Sequence, residues 1–297
     1  MSFKPRHAER LRAVPPVELS AIDPQSTPGF SGNPRGKRMR RRFRKFDAEL
    51  RQLQEQLFAH SRLGTAQSGS ILLILQGMDT SGKGGMIRNA LSVFDPQGLR
   101  PVGFGAPTEE ERNHDFLWRI NKHVPKDGEI VVFDRSHYED VLIQRVEKMA
   151  PAEEIERRYD AIVDFESQLA ARGVCIIKIM LHISAEFQKS NLARRLQRHD
   201  KRWKFDPSDL DNRKKWEDYQ RAYEIAINRT HTEDAPWYIV PSDNKLYART
   251  AVKYLVLRLA RHGSGLAAAK LRCRAAVPSP ARIVVITGAS CCSAASR

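Results

Sequence analysis

The stretch "ILLILQGMDTSGKGGMIRNAL", residues 71–91, decides the fold. Its apolar opening, Ile71 to Leu75, has no polar interruption and reads as a strand buried on both faces, which is the signature of a parallel sheet. A glycine-rich turn and then a helical pattern follow, the order a phosphate-binding loop requires. Gly77 and Gly82 let the backbone curl so that successive N–H groups, with Ser81 and Gly84 in the same loop, point at one anion. The helix beginning near Lys83 adds its positive end, and Lys83 adds a mobile full charge. A tight strand-to-helix turn would explain the glycines but leave Lys83 unexplained. One position departs from the usual G-x-x-x-x-G-K-[ST]: Gly84 stands where a hydroxyl normally helps to hold magnesium. Any metal at this loop must find protein oxygens elsewhere, and carboxylates serve best.

Two candidates follow. Asp79 lies inside the loop. Asp134 ends a second apolar run, "EIVVFDRS", at the Walker-B position, where a strand-end carboxylate reaches the same ion directly or through water. The competing reading of Asp134 is a helix cap, because "DRSHYED" is able to begin a helix. Arg135 comes next, so acid and base are adjacent at the end of one strand. Phosphoryl transfer needs in-line positioning and cations around the equatorial oxygens, which Lys83, Arg135 and a metal supply.

Further strands are read at "VCIIKIMLHIS" and "WYIVPSD", with helical patterns at about 38–60, 108–123, 151–172, 185–198, 210–226 and 247–261. Strands alternating with helices predict a three-layer α/β/α fold around a parallel sheet, with ligands outside the carboxyl ends of the strands. Residues 1–37, rich in Pro, Gly and Ser, are expected to be a flexible basic arm, 38–262 the phosphotransferase domain, and 263–297 a disordered tail. In that tail "PARIVVITGAS" looks like the opening of a dehydrogenase cofactor site but stops short, and a truncated or frameshifted end is expected.

The chain has 297 residues, 41% hydrophobic and 29% charged, with a formal charge of +15. That charge calls for an anionic partner: nucleic acid, a membrane surface or a polyanionic substrate. No run approaches the roughly 20 apolar residues that span a bilayer and no signal segment opens the chain, so a cytoplasmic protein is expected, its four cysteines reduced. The charge concentrates in "RGKRMRRRFRKF" (35–46) and "ARRLQRHDKRWK" (193–204). Either run is readable as a solvated helix face. The second, however, places Arg194, Arg195, Arg198 and Lys204 ahead of "FDPSDL", which carries a proline and a cap, and reads as two helices joined by a turn. Such an insertion, about 190–220, suits a lid over the transferring group, with Trp203, Phe205, Trp216 and Tyr219 packing a small core of its own.

At this point the blocks "LQGMDTSGKGG", "APTEEERNHDFLWRI", "FDRSHYEDVLIQRV", "RRLQRHDKRWKFDPSDL", "WEDYQRAYE" and "APWYIVPSDNKLYAR" together resemble the polyphosphate kinase 2 family, over about residues 38–262. The resemblance implies a thymidylate-kinase-like P-loop fold and magnesium-dependent transfer of phosphate between inorganic polyphosphate and nucleotides, ADP and AMP giving ATP and ADP, with manganese able to replace magnesium. It implies that Asp79 and Asp134 hold the metal and reacting phosphates, that Lys83 and Arg135 contact phosphate, and that Arg194, Arg195 and Arg198 hold polyphosphate. "HDFLWRI" with "RSHYEDVL" resembles the subgroup that phosphorylates nucleoside mono- and diphosphates. A dimer or tetramer is implied, with no membrane partner and no specific nucleic acid. An ATP-dependent kinase of a small molecule on the same fold and a non-catalytic polyanion binder remain as rivals.

Overall fold

A computed structural model of the chain describes residues 9–63 and 69–262. After a long helix α1 (Lys37–Arg62), the apolar run forms β1 (Ser70–Gln76), every residue of it buried. The loop leads into α2 (Lys83–Met86), which passes directly into one π-helical turn at Ile87–Leu91. Then come β2 (Leu99–Gly103), the short helices α3 (Glu109–Arg112) and α4 (Trp118–Asn121), β3 (Ile130–Asp134), α5 (Glu139–Val146) and α6 (Ala152–Ala171). The second half contains β4 (Val174–His182), α7 (Ala185–Gln197), a 3-10 segment at His199–Lys204, α8 (Ser208–Lys214), α9 (Trp216–Thr230), β5 (Trp237–Pro241) and α10 (Lys245–His262).

The five strands pair in parallel in the order β2-β3-β1-β4-β5. Successive side chains of a strand point to opposite faces. Ile71, Leu73 and Leu75 of β1 therefore meet Leu50, Leu57, Tyr247 and Val252 of α1 and α10, while Leu72 and Ile74 meet Val141, Tyr159, Ile162 and Ile227 of α5, α6 and α9. Two cores on one sheet make the three layers. Because β1 is flanked by β3 and β4, its loop emerges at the middle of the sheet's carboxyl edge, with Asp134 in register beside Leu75.

Several expectations need correction. β2 escaped the sequence reading: it is an edge strand, only part-buried, and contains Pro101, which an edge position tolerates. The helix read at 108–123 is two single turns, because Thr108 and Glu111 close a capping box and the Asp115 carboxylate accepts from Leu117 N, starting the chain afresh. Residues 9–36 depart from the flexible arm expected there. Leu11 and Ala13 exchange backbone hydrogen bonds with Ile239 and Trp237 along the free edge of β5, Leu19 N donates to Glu224, and Ile22 O meets His182 Nε2. The expected tail, 263–297, lies outside the described residues. No described helix is long and apolar enough to cross a membrane.

Candidate active site

Gly77 opens the loop at φ 148°, and a Cβ there would stand 2.8 Å from both Leu181 O and Ser81 Oγ, so only glycine fits. Gly82 caps α2 at φ 106°, and Met86 N makes the first helical bond back to its carbonyl. Thr80, at φ 62°, is a non-glycine residue in the left-handed region, which marks the loop as held by its surroundings. Gln188 of α7 donates to Asp79 O (3.2 Å) and Asn191 to Thr80 O (3.3 Å). Lys83 Nζ donates to Gly77 O at 2.6 Å, folding across the loop it follows.

Asp134 is the last residue of β3, and α5 begins only at Glu139, so the helix-cap reading is set aside. Its carboxylate makes no hydrogen bond or ion pair with any described residue, and its Oδ2 lies 3.7 Å from where a Cβ of residue 84 would be. The space that a loop hydroxyl usually fills thus faces a free carboxylate. Arg135, at φ 66°, turns the chain sharply and reaches Asp79 Oδ1 at 3.2 Å. Asp79 Oδ2 accepts from Asn212 Nδ2 of α8 at 2.9 Å. Burial works to raise the Asp79 carboxyl, but Lys83, Asn212, Arg135 and Arg195 together hold it below its ordinary value. Burial pushes Lys83 down against the pull of Asp79, and burial pushes Glu139 up against Arg135 and Lys83. Behind the loop, Asp79, Arg135, Glu139, Asn212 and Tyr219 enclose a small polar space of about 40 Å³.

In front of the loop lies a cavity of about 890 Å³, bounded by the loop, Gly103 to Gly105, α7, the 3-10 segment and α10. Asp79, Ser81, Gly82, Lys83, Gly84, Asp134 and Arg135 line it, as do Arg194, Arg195 and Lys204. Gly77 lies behind, on the smaller space. Arg198 is not brought in: it ends α7 with extended backbone, so the shared helical face with Arg194 is lost, and it pairs with exposed Asp200. Arg195 is bound to Asp209 (2.8 Å) and Lys204 O. The expected separate core of the 190–220 segment is also absent among the described residues. Trp203 is 77% exposed, whereas Trp216 and Tyr219 join the main core beneath the sheet.

Sequence reasoning missed the opposite wall. Arg88 follows the loop on the π turn, and Lys245 and Arg249 stand one turn apart at the start of α10, an i, i+4 pair whose convergence on the loop no local pattern reveals. Burial, with Arg194, Arg249 and Lys201 nearby, pushes Lys245 down to about 8. Burial and Arg88 lower Arg249, and burial and Arg88 lower Lys204 from across the cavity. Asn212 and Glu139 were missed too, although the acid of "SHYED" was open to notice.

Nine lysines and arginines against three aspartates leave this cavity suited to phosphates in number rather than to one carboxylate or sugar. With a phosphate loop at its base, the chain is a phosphotransferase of the P-loop kinase class. Residues 40–263 match polyphosphate kinase 2, and the chain belongs to that family. It is 41% identical over 241 residues to the AMP/ADP-polyphosphate phosphotransferase of Meiothermus ruber, covering 81% of this chain and 87% of the relative. The ADP-polyphosphate phosphotransferase of Rhodopseudomonas palustris is 40% identical over 219 residues, 70% of this chain and 74% of that one. Among solved structures, polyphosphate kinase 2 from Arthrobacter aurescens superposes with a TM-score of 0.85 at 44% identity, over 93% of this chain and 99% of that one.

Proposed function

We propose that the protein transfers a terminal phosphoryl group between inorganic polyphosphate and ADP, and AMP as well, with magnesium or manganese bound at Asp79 and Asp134. The observation that carries the reading is the unpartnered Asp134 carboxylate facing Gly84 inside a cavity whose other charges are overwhelmingly cationic. The donor set fits such an ion. Magnesium is usually held by one or two carboxylates with substrate phosphates and water completing its shell, and no cluster of three or more metal-ligating side chains occurs among the described residues. Bound there, the metal would neutralise charge on the reacting phosphates.

The chain's own residues do the rest. The loop N–H groups and Lys83 seat the phosphates at the start of α2. Arg135, on its strained turn, points at the same place, so that an acceptor phosphate and the donor terminus are held in line. In the forward direction a bond forms from an acceptor phosphate oxygen to the terminal phosphorus, and the bridging bond to the next phosphate breaks, leaving polyphosphate one unit shorter. That attacking oxygen is already anionic, so no strong general base is required, and Asp79 orients rather than deprotonates. Arg194, Arg195 and Lys204 cover the donor chain from the α7 side, and the segment 190–220 serves as a lid.

The test is incubation with magnesium and long-chain polyphosphate, offering AMP and ADP separately, with nucleotides resolved by chromatography. ATP from ADP, and ADP from AMP, are expected. Turnover with ATP as donor to another acceptor, and none with polyphosphate, would overturn the reading.

A further inference from the structure

The basic run at 35–46 lies outside the cavity, and the reaction above gives it no work. It forms the first turns of α1, whose inner side, Met39, Phe46, Leu50, Leu53 and Leu57, is buried. Its placement follows from contacts with α10. In the segment that leads to α1, Pro28 O accepts from Tyr247 Oη at the start of α10 (2.8 Å). Further along, Phe46 meets Tyr254, and Lys253 lies over the Phe43 ring at 3.4 Å and pairs with Asp47. The end of α1 lies at the amino edge of the sheet, where Ser61 Oγ donates to Asp127 O just ahead of β3, and α10 starts from the carboxyl end of β5, so the two helices run side by side in the same direction, both starting from the cavity end of the sheet.

Register then places the cations. One turn back from Lys253 on α10 is Arg249, which lines the cavity. Back from Asp47 on the same stripe of α1 are Arg44 and Arg40. Arg44 and Arg40 are therefore about level with Arg249, one helix spacing away, roughly 8–10 Å between axes. Both are exposed and form no ion pair with a described residue. Arg249 has no carboxylate partner either, and its guanidinium stands 3.6 Å from where a Cβ of Gly85 would be, with Arg88 beside it.

We propose that Arg40 and Arg44 extend the cation lining of the cavity, through Arg249 and Arg88, as a track for the part of a long inorganic polyphosphate chain beyond the phosphates that react. The proposal rests on the polyphosphate reading above and adds to it a surface that only a long donor touches. A compact anion is satisfied inside the cavity and does not reach α1. A linear polyanion carries a charge at every unit, and so gains from each cation along a line that leaves the loop. Arg40, with Lys37 and Arg38, also comes at a cost to α1, whose first turn has no acid and whose positive dipole end these cations oppose.

The experiment compares tripolyphosphate with long-chain polyphosphate as donors to ADP, for the unaltered protein and for R40E/R44E, with thermal unfolding as the check on folding. Both positions are exposed, glutamate is a good helix former, and an acid at 40 in the first turn favours the dipole, so the variant is expected to fold. Its KM for the long chain should rise about 10-fold or more, and the salt dependence of that KM should lose roughly 1–2 in log-log slope, the amount tied to two phosphate contacts. kcat and the tripolyphosphate KM should stay unchanged. Equal shifts for both donors, or none for either, overturn the track while leaving the reaction standing. A variant that loses affinity for duplex DNA while keeping its long-chain KM overturns it in favour of nucleic acid. No product from either donor with the unaltered protein removes the reaction, and the track with it.

Discussion

Lys178 stands in the middle of β4 with no exposed surface, and its replacement by methionine tests how the sheet supports the reactive turn. Its Nζ donates to Glu166 Oε2 (2.5 Å), Thr230 O (2.7 Å) and Tyr138 Oη (3.0 Å), and lies 5.3 Å from the Trp237 ring centroid. Glu166, equally buried, also accepts from Tyr138 Oη and meets His137 Nε2. Burial acts to raise the Glu166 carboxyl, but Lys178 and His137 hold it below its ordinary value. Removing one member of a buried pair strands the other charge, which costs about 3–5 kcal/mol. For a domain of this size that is roughly 6–20 °C in Tm. The sign of the pH dependence is specific. In the native protein the depressed Glu166 contributes stability above the unfolded carboxyl value, about 4.3, that is lost as pH falls through its folded value. In Lys178→Met the stranded carboxyl is raised instead, so the deficit is largest at pH 7 and shrinks toward pH 5. Urea unfolding followed by circular dichroism at both pH values measures it, and the double variant K178M/E166Q should recover at least half of the loss. A deficit below about 1 kcal/mol, one equal at both pH values, or a double variant as poor as the sum of the singles would refute the argument.

Two further outcomes are expected. Gly77→Ala forces a Cβ into Leu181 O and Ser81 Oγ at a φ that L residues avoid, so polyphosphate-dependent activity should fall by about 100-fold or more while stability falls by only about 1–3 kcal/mol; near-normal turnover would show that the loop relaxes freely. Lys245, pushed down to about 8 by burial and by Arg194, Arg249 and Lys201, should be charged below that pH and neutral above it. kcat/KM for polyphosphate should therefore decline as pH rises through about 8. Lys245→Arg should abolish that limb, and an unchanged profile in the variant would remove Lys245 from the site.

What the sequence made legible is what neighbouring residues encode. The run Ile71–Leu75 and its glycine loop specify strand, turn and anion seat within one stretch, and Asp134 declares itself by ending an apolar run. The arginines of 193–204 announce a cationic surface, but their fate depends on partners fixed by folding: Arg198 pairs with Asp200 and stays off the cavity lining, and Asp209 takes Arg195. Lys245, Arg249 and Arg88 reach the loop from helices whose local pattern records only a buried face. β2 was hidden because an edge strand is half wet and tolerates proline. Residues 9–36 were hidden because their order comes from hydrogen bonds to β5 and α9 far along the chain.

Asp134 apart, much of the charge around the loop is already paired, and this constrains how the site loads. Asp79 spends one oxygen on Arg135 and the other on Asn212, Lys83 is tied to Gly77 O, and Arg195 to Asp209. On the proposed reading, phosphate and metal would exchange partners at these residues and meet an unpaired carboxylate only at Asp134, and each exchange needs a stronger interaction than the one it breaks. A doubly charged metal held by Asp79, as proposed above, would meet that condition against a half-exposed Arg135, and the released guanidinium would be free for phosphate. Arg195 leaving Asp209 is more demanding, because burial and Asp79 already raise the Asp209 carboxyl, and the departing guanidinium removes the charge that opposes them. Gln188, Asn191 and Asn212 meanwhile bond α7 and α8 to the loop at Asp79 and Thr80. A rigid flap motion of the whole 190–220 segment would break the Asn191 and Asn212 bonds together. If the segment closes as proposed, the cheaper motion would bend only the 3-10 tip, His199–Lys204, where Trp203 is exposed and where Lys201 and Lys204 line the cavity.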